Sequence, residues 1–180
     1  MPVTCISLIG LPGVGKSTVG QRLARRLGFA FLDCDGELER RLGRRIRDFF
    51  EAEGESRFRE VEAAVLDELT SSRNAVLATG GGVVLRATNR ALLRERTVCV
   101  YLKADFETLL PRLQRDTKRP LLQVADPAAR LRTLSEERDP LYRDVATLTV
   151  ETRGKSLGSL VDAVLHGLPR DLLADGMARS

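Results

Sequence analysis

A glycine-rich turn near the start of the chain constrains the fold more than any other part of the sequence. Residues 10–18 read Gly-Leu-Pro-Gly-Val-Gly-Lys-Ser-Thr, after the apolar run 5–9 and before residues 19–27, whose apolar positions recur at helical spacing. The order is therefore strand, turn and helix. In such a turn the main-chain N–H groups and the helix N-terminus surround an anion. The spacing Gly-x-x-x-x-Gly-Lys-Ser thus predicts a phosphate-binding loop rather than a plain connection.

Two side chains of this loop have chemistry that suits a nucleotide. We expect Lys16 to reach the β- and γ-phosphates, and the Ser17 hydroxyl to coordinate the Mg²⁺ that accompanies them. The predicted nucleotide-binding residues of the loop are Gly13, Val14, Gly15, Lys16, Ser17 and Thr18. The loop alone specifies neither the nucleotide nor the reaction.

Charge and aromatic content limit the partners expected for this chain. Lys and Arg total 29 against 25 for Asp and Glu, which gives a net charge of +4 and a pI near 9.3. A basic pI suits nucleic-acid binding, but the cations are scattered and often stand beside acids. Aromatic residues are only 4%, without Trp, so a base-stacking platform is poorly supplied. Small anionic substrates account for the excess of arginine, and we expect neither a nucleic-acid nor a membrane partner.

The cysteines and the ends of the chain bear on its compartment. Cys5, Cys34 and Cys99 are odd in number, none lies in a Cys-x-x-Cys pair, and two occupy apolar, strand-like runs where free buried thiols are usual. The N-terminus shows no basic leader or cleavage site, and no apolar stretch approaches transmembrane length. We therefore expect a cytoplasmic protein. A monomer is the default expectation.

Alternating patterns predict the fold class. Five strands are expected at 5–9, 29–32, 75–79, 98–102 and 146–150, the second of them buried. Helices are expected at 19–27, 37–42, 46–52, 56–69, 89–94, 105–115, from 127 onward, and after a Ser156 cap as far as 165. This alternation predicts an α/β fold, a three-layer α/β/α arrangement around a five-stranded parallel sheet, of the P-loop NTPase type. We expect one domain over 1–168 and a frayed tail over 169–180.

The segment around residue 115 carries two expectations. Pro111 falls inside the helical pattern 105–115 and is predicted to kink or break that helix. The connection that follows is polar-rimmed and contains a proline, so we expect a mobile lid over about 113–126.

Two carboxylates follow the second strand. Asp33 and Asp35 stand at the carboxyl end of a predicted parallel strand, where open α/β sheets bind ligands. Asp35 is also a candidate N-cap of the next helix, and the two roles are compatible. Strand alternation should direct the side chain of Cys34 away from both acids, so we interpret Cys34 as structural.

Residues 56–69 and the third strand add further candidates. Phe58, Val61, Val65 and Leu69 share one helical face and are predicted to be core. Arg59 and Glu62 are three apart, which by itself predicts a solvated ion pair. Gly80, Gly81 and Gly82 directly follow the third strand, and three glycines there indicate that a ligand approaches the backbone closely. A flexible turn is the alternative.

The combination of these motifs resembles the shikimate kinase family. The resemblance spans residues 3 to about 166, in the family's order and spacing. Besides the phosphate loop, the matching stretches are 31–35, Phe58-Arg59-x-x-Glu62, 80–82, Arg119-Pro120-Leu121-Leu122 and Arg138-x-Pro140-Leu141-Tyr142-Arg143. The resemblance implies transfer of the γ-phosphoryl of ATP, with Mg²⁺, to the 3-hydroxyl of shikimate, on the way to chorismate and the aromatic amino acids.

The resemblance also implies roles for individual residues. Asp35 would contact the ring hydroxyls and accept the proton of the attacking one, within a shikimate-binding region at about 33–62. Arg59 and Arg138 would hold the carboxylate, with backbone contact from the three glycines at 80–82 and above all Gly81. For the donor, Arg119 matches the lid arginine that closes over the phosphates. Asp33 matches a residue that contacts Mg²⁺ through water. Arg112 and Lys155 match positions that border the adenine.

Other functions remain open at this point. Gluconate kinase or a nucleoside monophosphate kinase has a similar build, although the triple glycine with Arg59 and Arg138 favours a cyclic carboxylate. A nucleotide-dependent switch, or a basic nucleic-acid-binding module with slow ATP hydrolysis, would also need the phosphate loop. Neither would need Asp35 and two carboxylate-binding arginines around one cavity.

Overall fold

The computed structural model describes residues 5–116 and 124–172. Within these ranges, five parallel strands form one sheet in the order β2-β3-β1-β4-β5. The strands are β1 (Cys5–Ile9), β2 (Ala30–Asp33), β3 (Ala75–Ala78), β4 (Val98–Lys103) and β5 (Leu148–Glu151). The predicted five-stranded parallel sheet is confirmed.

Helices connect the strands and flank the sheet. They are α1 (Lys16–Leu27), α2 (Cys34–Leu42), α3 (Ile46–Leu69), α4 (Ala87–Arg96), α5 (Phe106–Gln114), α6 (Pro127–Val145) and α7 (Leu157–Gly167), with a short 3₁₀ turn at Val83–Leu85. α1 packs against α7, whereas α4 packs against α3 and α6. The α/β/α arrangement expected from the sequence is therefore present.

The sheet buries its three central strands and leaves both edge strands partly open. Every residue of β1 and β3 is buried, and Ile6 of β1 stands between Val76 of β3 and Val98 of β4. β2 lies at the edge of the sheet, and its residues are exposed or half-buried. The expectation of a buried second strand is wrong, because an edge strand is covered on one side only.

Two helices contain a residue that usually interrupts a helix. α3 runs from residue 46 to 69 but has a non-helical residue at Gly54 (φ 83°, ψ 170°), which divides it into the two helical segments expected. α5 continues through Pro111 without a break. Proline has no N–H to donate to the carbonyl of Glu107, one turn earlier in the helix. Both Pro111 and Glu107 are exposed, so water can bind that carbonyl instead.

Parts of the expected lid and tail lie outside the described residues. They are residues 117–123, which make up half of the expected lid, and residues 173–180 of the expected tail. Leu168 and Leu172 are buried in the core, so the packed chain extends past residue 168. In the described part of the chain, no helix has the length and apolarity to cross a membrane.

All three cysteines are free and buried. Burial raises the pKa of Cys5 and of Cys99 to about 12. Burial also raises the pKa of Cys34 well above its ordinary value, with Asp35 and Glu62 adding to the effect. Cys34 is the first residue of α2 and not part of a strand, so the strand-alternation argument is wrong although the residue is buried as expected.

Candidate active site

The turn between β1 and α1, residues 10–15, has the backbone that a phosphate-binding loop requires. Gly13 and Gly15 have φ values of 80° and 103°, in the left-handed region that favours glycine. Gly15 is also the N-cap of α1, and the Val19 N–H donates to its carbonyl at 2.9 Å. The first N–H groups of a helix have no intrahelical partner. This turn, called the first glycine turn below, therefore directs N–H donors and the positive end of α1 to one place.

Lys16 lies back over the same turn. Its Nζ donates to the carbonyl oxygens of Gly10 and Leu11, at 2.7 and 3.0 Å. The residue is buried, with 8% exposure. The ammonium is therefore held against the first glycine turn, and its contact with the β- and γ-phosphates stays a prediction.

Ser17 and Asp33 bring two oxygen ligands together beside the turn. The Ser17 hydroxyl donates to Asp33 Oδ2 at 3.1 Å. Asp33 Oδ1 accepts from the N–H groups of Asp35 and Gly36, at 3.0 and 3.5 Å. Asp33 is thus the N-cap of α2, and the suggestion that Asp35 caps this helix is wrong. Because Asp33 caps the helix, the Asp35 side chain is not used as a cap, and it is exposed at the start of α2.

The oxygen pair fits the binding of Mg²⁺. This ion prefers hard oxygen ligands and is commonly held by one or two protein groups together with phosphates and water. No group of three or more His, Cys, Asp or Glu side chains suitable for a metal occurs within 5–116 and 124–172. A hydroxyl and one carboxylate next to a phosphate loop are therefore the ligand set available here.

Two cavities meet at the carboxyl end of the sheet. A cavity of about 200 Å³ is lined by the first glycine turn and α1, and a cavity of about 410 Å³ extends toward α2, α3 and α6. They are called the donor cavity and the acceptor cavity below, after the roles proposed for them. Residues that line both cavities are Pro12, Ser17, Asp33, Asp35, Gly80 and Gly81. The cavities are therefore adjacent, and Asp35 lies between them.

Arg59 and Glu62 form a buried pair on the wall of the acceptor cavity. Arg59 Nη1 donates to Glu62 Oε1 at 2.8 Å, and the two residues are 8% and 3% exposed. Burial raises the pKa of Glu62, although the Arg59 guanidinium beside it opposes that shift. The expectation of a solvated ion pair is wrong, because this face of α3 packs against the triple glycine. Spacing of three residues does not distinguish an outer helical face from an inner one.

The triple glycine, called the second glycine turn below, makes room for these side chains. None of its residues has a positive φ. A Cβ at Gly82 would overlap the Arg59 guanidinium, and one at Gly80 would stand 3.0 Å from Glu62 Oε2 and 3.3 Å from Asp35 Oδ1. The groups that approach this turn closely are charged side chains of the protein, and the expected approach of a ligand to its backbone stays a prediction.

A second buried arginine reaches the acceptor cavity from α6. Arg138 is 2% exposed and lines the cavity, and its Nη1 is 3.3 Å from the position of a Cβ on Gly81. The buried Nε–H groups of Arg59 and Arg138 have no hydrogen-bond partner among the described residues. Two guanidiniums that each have an unsatisfied N–H donor therefore line one cavity. Glu62 is the buried carboxylate that offsets their charge.

The comparisons with known proteins agree with this geometry. A family model described as shikimate kinase matches residues 12–169. The chain belongs to the shikimate kinase family. A curated shikimate kinase of Paracidovorax citrulli (strain AAC00-1) is 52% identical over 166 residues, which cover 91% of each chain. That of Chromobacterium violaceum is 49% identical over 161 residues, 89% of this chain and 88% of the relative.

Solved structures of the same family are similar in fold. A shikimate kinase from Acinetobacter baumannii in complex with shikimate has 48% identity and a TM-score of 0.89, covering 91% of this chain and 92% of that one. The Aquifex aeolicus shikimate kinase has 34% identity and a TM-score of 0.80, with 98% and 99% coverage. A Sinorhizobium meliloti gluconokinase, at 22% identity and a TM-score of 0.65, shows the shared fold alone.

The other residues to which the family resemblance gives a role lie in different parts of the structure. Arg112 Nη1 donates to the carbonyl oxygen of Gly13 at 3.3 Å, so Arg112 lies beside the first glycine turn. Lys155 is exposed between β5 and α7 and lines neither cavity. Val14 is buried beneath the loop, whereas Thr18 lines the donor cavity. Arg119 lies outside the described residues.

Sequence reasoning missed several residues of the site. Glu39, Ile46, Phe50 and Asp116 line the acceptor cavity, and no motif indicated them. Tyr142 was part of a matching stretch but had no predicted role. It is fully buried, and its hydroxyl donates to the carbonyl oxygen of Gly81 at 2.5 Å. The signal available was its position one helical turn after Arg138.

Proposed function

We propose that the two cavities are the donor and acceptor halves of one site, in which the γ-phosphoryl of ATP passes to the 3-hydroxyl of shikimate. As a member of the shikimate kinase family, the chain is an ATP-dependent enzyme that phosphorylates shikimate on the route to chorismate and the aromatic amino acids. The assignment of individual residues within the site is the part that this proposal adds.

The observation that carries the acceptor assignment is the pair of buried arginines. Arg59 of α3 and Arg138 of α6 line the same cavity, and each has a buried donor that no described residue satisfies. A guanidinium binds a carboxylate through two parallel charge-assisted hydrogen bonds, which an ammonium cannot reproduce. Two of them, held on different helices, fix both the position and the rotation of a ring that bears the carboxylate.

In the donor half, the first glycine turn and α1 bind the phosphates. Lys16 already lies at the mouth of the turn, so a γ-phosphate that enters there meets its ammonium. Ser17 would hold Mg²⁺ directly and Asp33 through water, consistent with their 3.1 Å contact. Bound there, the ion would neutralise phosphate charge during transfer. Apart from Lys16 and Ser17, residues 13–18 would contribute mainly through their main-chain N–H groups.

Asp35 is the acceptor-activating residue in this proposal. It lines both cavities, and its Oδ1 lies near Gly80 of the second glycine turn. A carboxylate in that place can orient the attacking hydroxyl and take its proton. Since phosphoryl transfer has a loose transition state, orientation of the hydroxyl contributes at least as much as removal of its proton.

Three further residues complete the proposed donor site. Arg119 would close over the phosphates and offset the charge on the transferred group. Arg112, beside the first glycine turn, and Lys155 would border the adenine. The 3.3 Å contact of Arg112 with Gly13 supports its assignment; Lys155 rests on the family resemblance alone.

The proposal also covers assembly and surroundings. Many surface arginines are paired with acids, among them Arg41 with Glu37 and Glu68, which leaves less free positive charge for nucleic acid. Three free buried thiols suit a reducing cytoplasm. We propose a cytoplasmic monomer that acts on small molecules.

A direct assay tests the function. ADP release is measured by a coupled assay with ATP, Mg²⁺ and, in turn, shikimate, gluconate and AMP. We expect saturable turnover with shikimate and background rates with the other two. Absence of turnover with shikimate would contradict the proposed function. Tight, salt-sensitive binding to DNA or RNA without turnover of shikimate would instead support a nucleic-acid-binding role.

Arg138→Lys tests the carboxylate assignment. Lysine keeps the positive charge but loses the two-pronged contact, so we expect the shikimate KM to rise about 10- to 100-fold and the ATP KM to stay within about twofold. Arg143→Lys is the matched control, because Arg143 lies on the same helix but pairs with Asp139 at the surface. Equal losses for both substrates would remove Arg138 from the carboxylate site.

A further inference from the structure

The Tyr142 hydroxyl stands between two groups of the acceptor site. Its Oη lies 2.5 Å from the carbonyl oxygen of Gly81, and because a carbonyl oxygen only accepts, the phenol donates the proton in this contact. Burial raises the pKa of this phenol, and the positive charge of the Arg138 guanidinium nearby opposes that rise. The Tyr142 hydroxyl is therefore bonded to the Gly81 carbonyl and lies close enough to Arg138 to interact with its charge.

The backbone of the second glycine turn depends on this contact. The Val83 N–H donates to the Gly80 carbonyl at 3.2 Å, and the Leu85 N–H to the Gly82 carbonyl at 3.1 Å. Those two bonds are local, within the 3₁₀ turn that follows. The middle carbonyl, that of Gly81, is bound from α6 instead. Glycine backbones have the most conformational freedom to lose, so one contact from a buried helix restricts this turn strongly.

Tyr142 and Arg138 are held on one face of α6. They are one helical turn apart and are 0% and 2% exposed. Burial raises the pKa of Tyr142 to about 12, so the hydroxyl keeps its proton at neutral pH and the hydrogen bond to Gly81 persists there. The Arg138 guanidinium in turn lies against Gly81. The arginine, the hydroxyl and the glycine carbonyl thus form one connected group.

We propose that Tyr142 is a positioning residue, which holds the Gly81 peptide in place against the Arg138 guanidinium and thereby orients the acceptor. Tyr142 does not line the acceptor cavity itself, so it acts through these two groups. The inference rests on the proposed function, because it requires that Arg138 bind the carboxylate of the acceptor.

Tyr101 provides a matched control within the same pair of rings. Its ring lies 5.0 Å from that of Tyr142, centroid to centroid. Its hydroxyl, however, donates to Asp139 Oδ1 at 2.7 Å and not to a residue that lines either cavity. Replacing either tyrosine by phenylalanine therefore removes one hydroxyl from the same aromatic pair, and only one of the two hydroxyls belongs to the acceptor site.

Steady-state kinetics of Tyr142→Phe and Tyr101→Phe test the proposal. For Tyr142→Phe we expect the shikimate KM to rise about tenfold, since a buried carbonyl loses its donor, with the ATP KM within about twofold of the parent. For Tyr101→Phe we expect both KM values within about twofold. An unchanged shikimate KM in Tyr142→Phe, or an equal rise for both substrates, overturns the proposal. Thermal melts of both variants show whether a difference reflects folding.

A spectroscopic test does not depend on the Tyr142→Phe variant. The chain has two tyrosines, so Tyr101→Phe protein grown with 3-fluorotyrosine carries a single fluorinated ring, at position 142. We expect saturating shikimate to shift its ¹⁹F resonance and the same concentration of gluconate to leave it unchanged. A resonance that shikimate does not move overturns the proposal.

Arg138→Lys separates failure of this inference from failure of the proposed function. If Arg138→Lys leaves the shikimate KM unchanged, the carboxylate assignment fails and the inference with it. If Arg138→Lys raises that KM and Tyr142→Phe does not, only the inference fails. In the double variant Arg138→Lys/Tyr142→Phe we expect the loss of the hydroxyl to cost less than it does alone, because its partner has gone. Fully additive effects on the shikimate KM contradict a role through Arg138.

Discussion

The two glycine turns of the site contain glycine for different physical reasons. In the first turn, Gly15 has open space around a would-be Cβ but a φ of 103°, so the backbone conformation requires glycine. In the second turn, Gly82 has an ordinary φ of −93°, but a Cβ there would overlap the Arg59 guanidinium. Gly15 is needed for the backbone shape of its own turn, whereas Gly82 is needed because a side chain approaches it.

This difference separates the two halves of the site. In the proposed assignment, the donor half relies mainly on the main chain of the first glycine turn and on the Lys16 ammonium, with Ser17 and Asp33 beside them. The acceptor half is built from charged side chains that arrive from α3 and α6 and lie over a bare stretch of backbone. Substitutions in the first turn should therefore act on the nucleotide, and those in the second on the acceptor. Asp35, which lines both cavities, lies where the two halves join.

Asp35→Asn is the most severe test of this division. Asparagine keeps the shape but cannot take a proton, so we expect kcat to fall about 100-fold or more. Binding of ATP with Mg²⁺, measured by calorimetry, should stay within about twofold, since Ser17, Asp33 and the first turn are intact. Asp48→Asn serves as control because Asp48 is an exposed carboxylate on α3 that does not line the cavity.

Two outcomes would change the assignment of Asp35. Near-normal turnover of Asp35→Asn would remove it from the chemical step. Loss of ATP binding would place it in the donor half instead of between the halves.

Alanine in each turn should affect opposite substrates. In Gly82→Ala the new methyl displaces the Arg59 guanidinium, so we expect the shikimate KM to rise about tenfold with the ATP KM unchanged. In Gly15→Ala the strained backbone should raise the ATP KM and lower the free energy of unfolding by about 1–2 kcal/mol. Gly158→Ala is the control, because Gly158 lies in α7 and an added Cβ there would meet only one atom, at ordinary contact distance. If both substitutions weaken the same substrate, the distinction between the turns is wrong.

The pH dependence of stability should show the buried charge of the acceptor half as a smaller effect. Burial raises the pKa of Glu62 above its ordinary 4.5, so the folded state holds this proton more tightly than the unfolded chain does. Its contribution to stability is present below pH 4.5 and is lost as pH rises through the folded-state value. In Glu62→Gln we therefore expect a smaller decline of the unfolding free energy above pH 4.5, measured by urea titration at several pH values.

Glu37 supplies a control of opposite sign. Hydrogen bonds from Arg40 and Arg41 lower its pKa to about 2, so its contribution is present above pH 4.5 and is lost as pH falls toward 2. Because Glu37 lies at the surface, screening keeps the effect small. Glu37→Gln should change the slope of the profile below pH 4.5 only, with a small constant loss of unfolding free energy above that pH. A Glu62→Gln profile that also changes only in that acidic range would show that Glu62 is not a buried, proton-retaining group.

Local features were predictable from the sequence. The first glycine turn and its flanking strand and helix are continuous in the chain, so nine residues contain their whole geometry. The strands at 5–9, 75–79 and 98–102 were placed to within a residue, because continuous apolar runs bounded by turns are typical of buried parallel strands. The place of β2 at the sheet edge was not predictable in the same way. Strand order depends on which neighbours meet, and no local pattern records it.

Contacts between distant segments were the part that local patterns missed. The spacing of Arg59 and Glu62 indicated that they share one helical face, but it did not indicate that this face is the inner side of α3. Asp33 rather than Asp35 caps α2, because the helix begins at Cys34 and not at residue 37 as the sequence suggested. The hydroxyl of Tyr142 reaches Gly81, 61 positions earlier in the chain, only because α6 returns across the sheet.

The three buried thiols have a practical consequence for labelling experiments. A cysteine reacts as its thiolate, and with pKa values of about 12 for Cys5 and Cys99, and a raised one for Cys34, almost none is present at neutral pH. A single cysteine placed at an exposed position such as Arg40 would therefore take up a maleimide dye alone. Fluorescent or spin probes can be attached to this enzyme without first replacing its native cysteines.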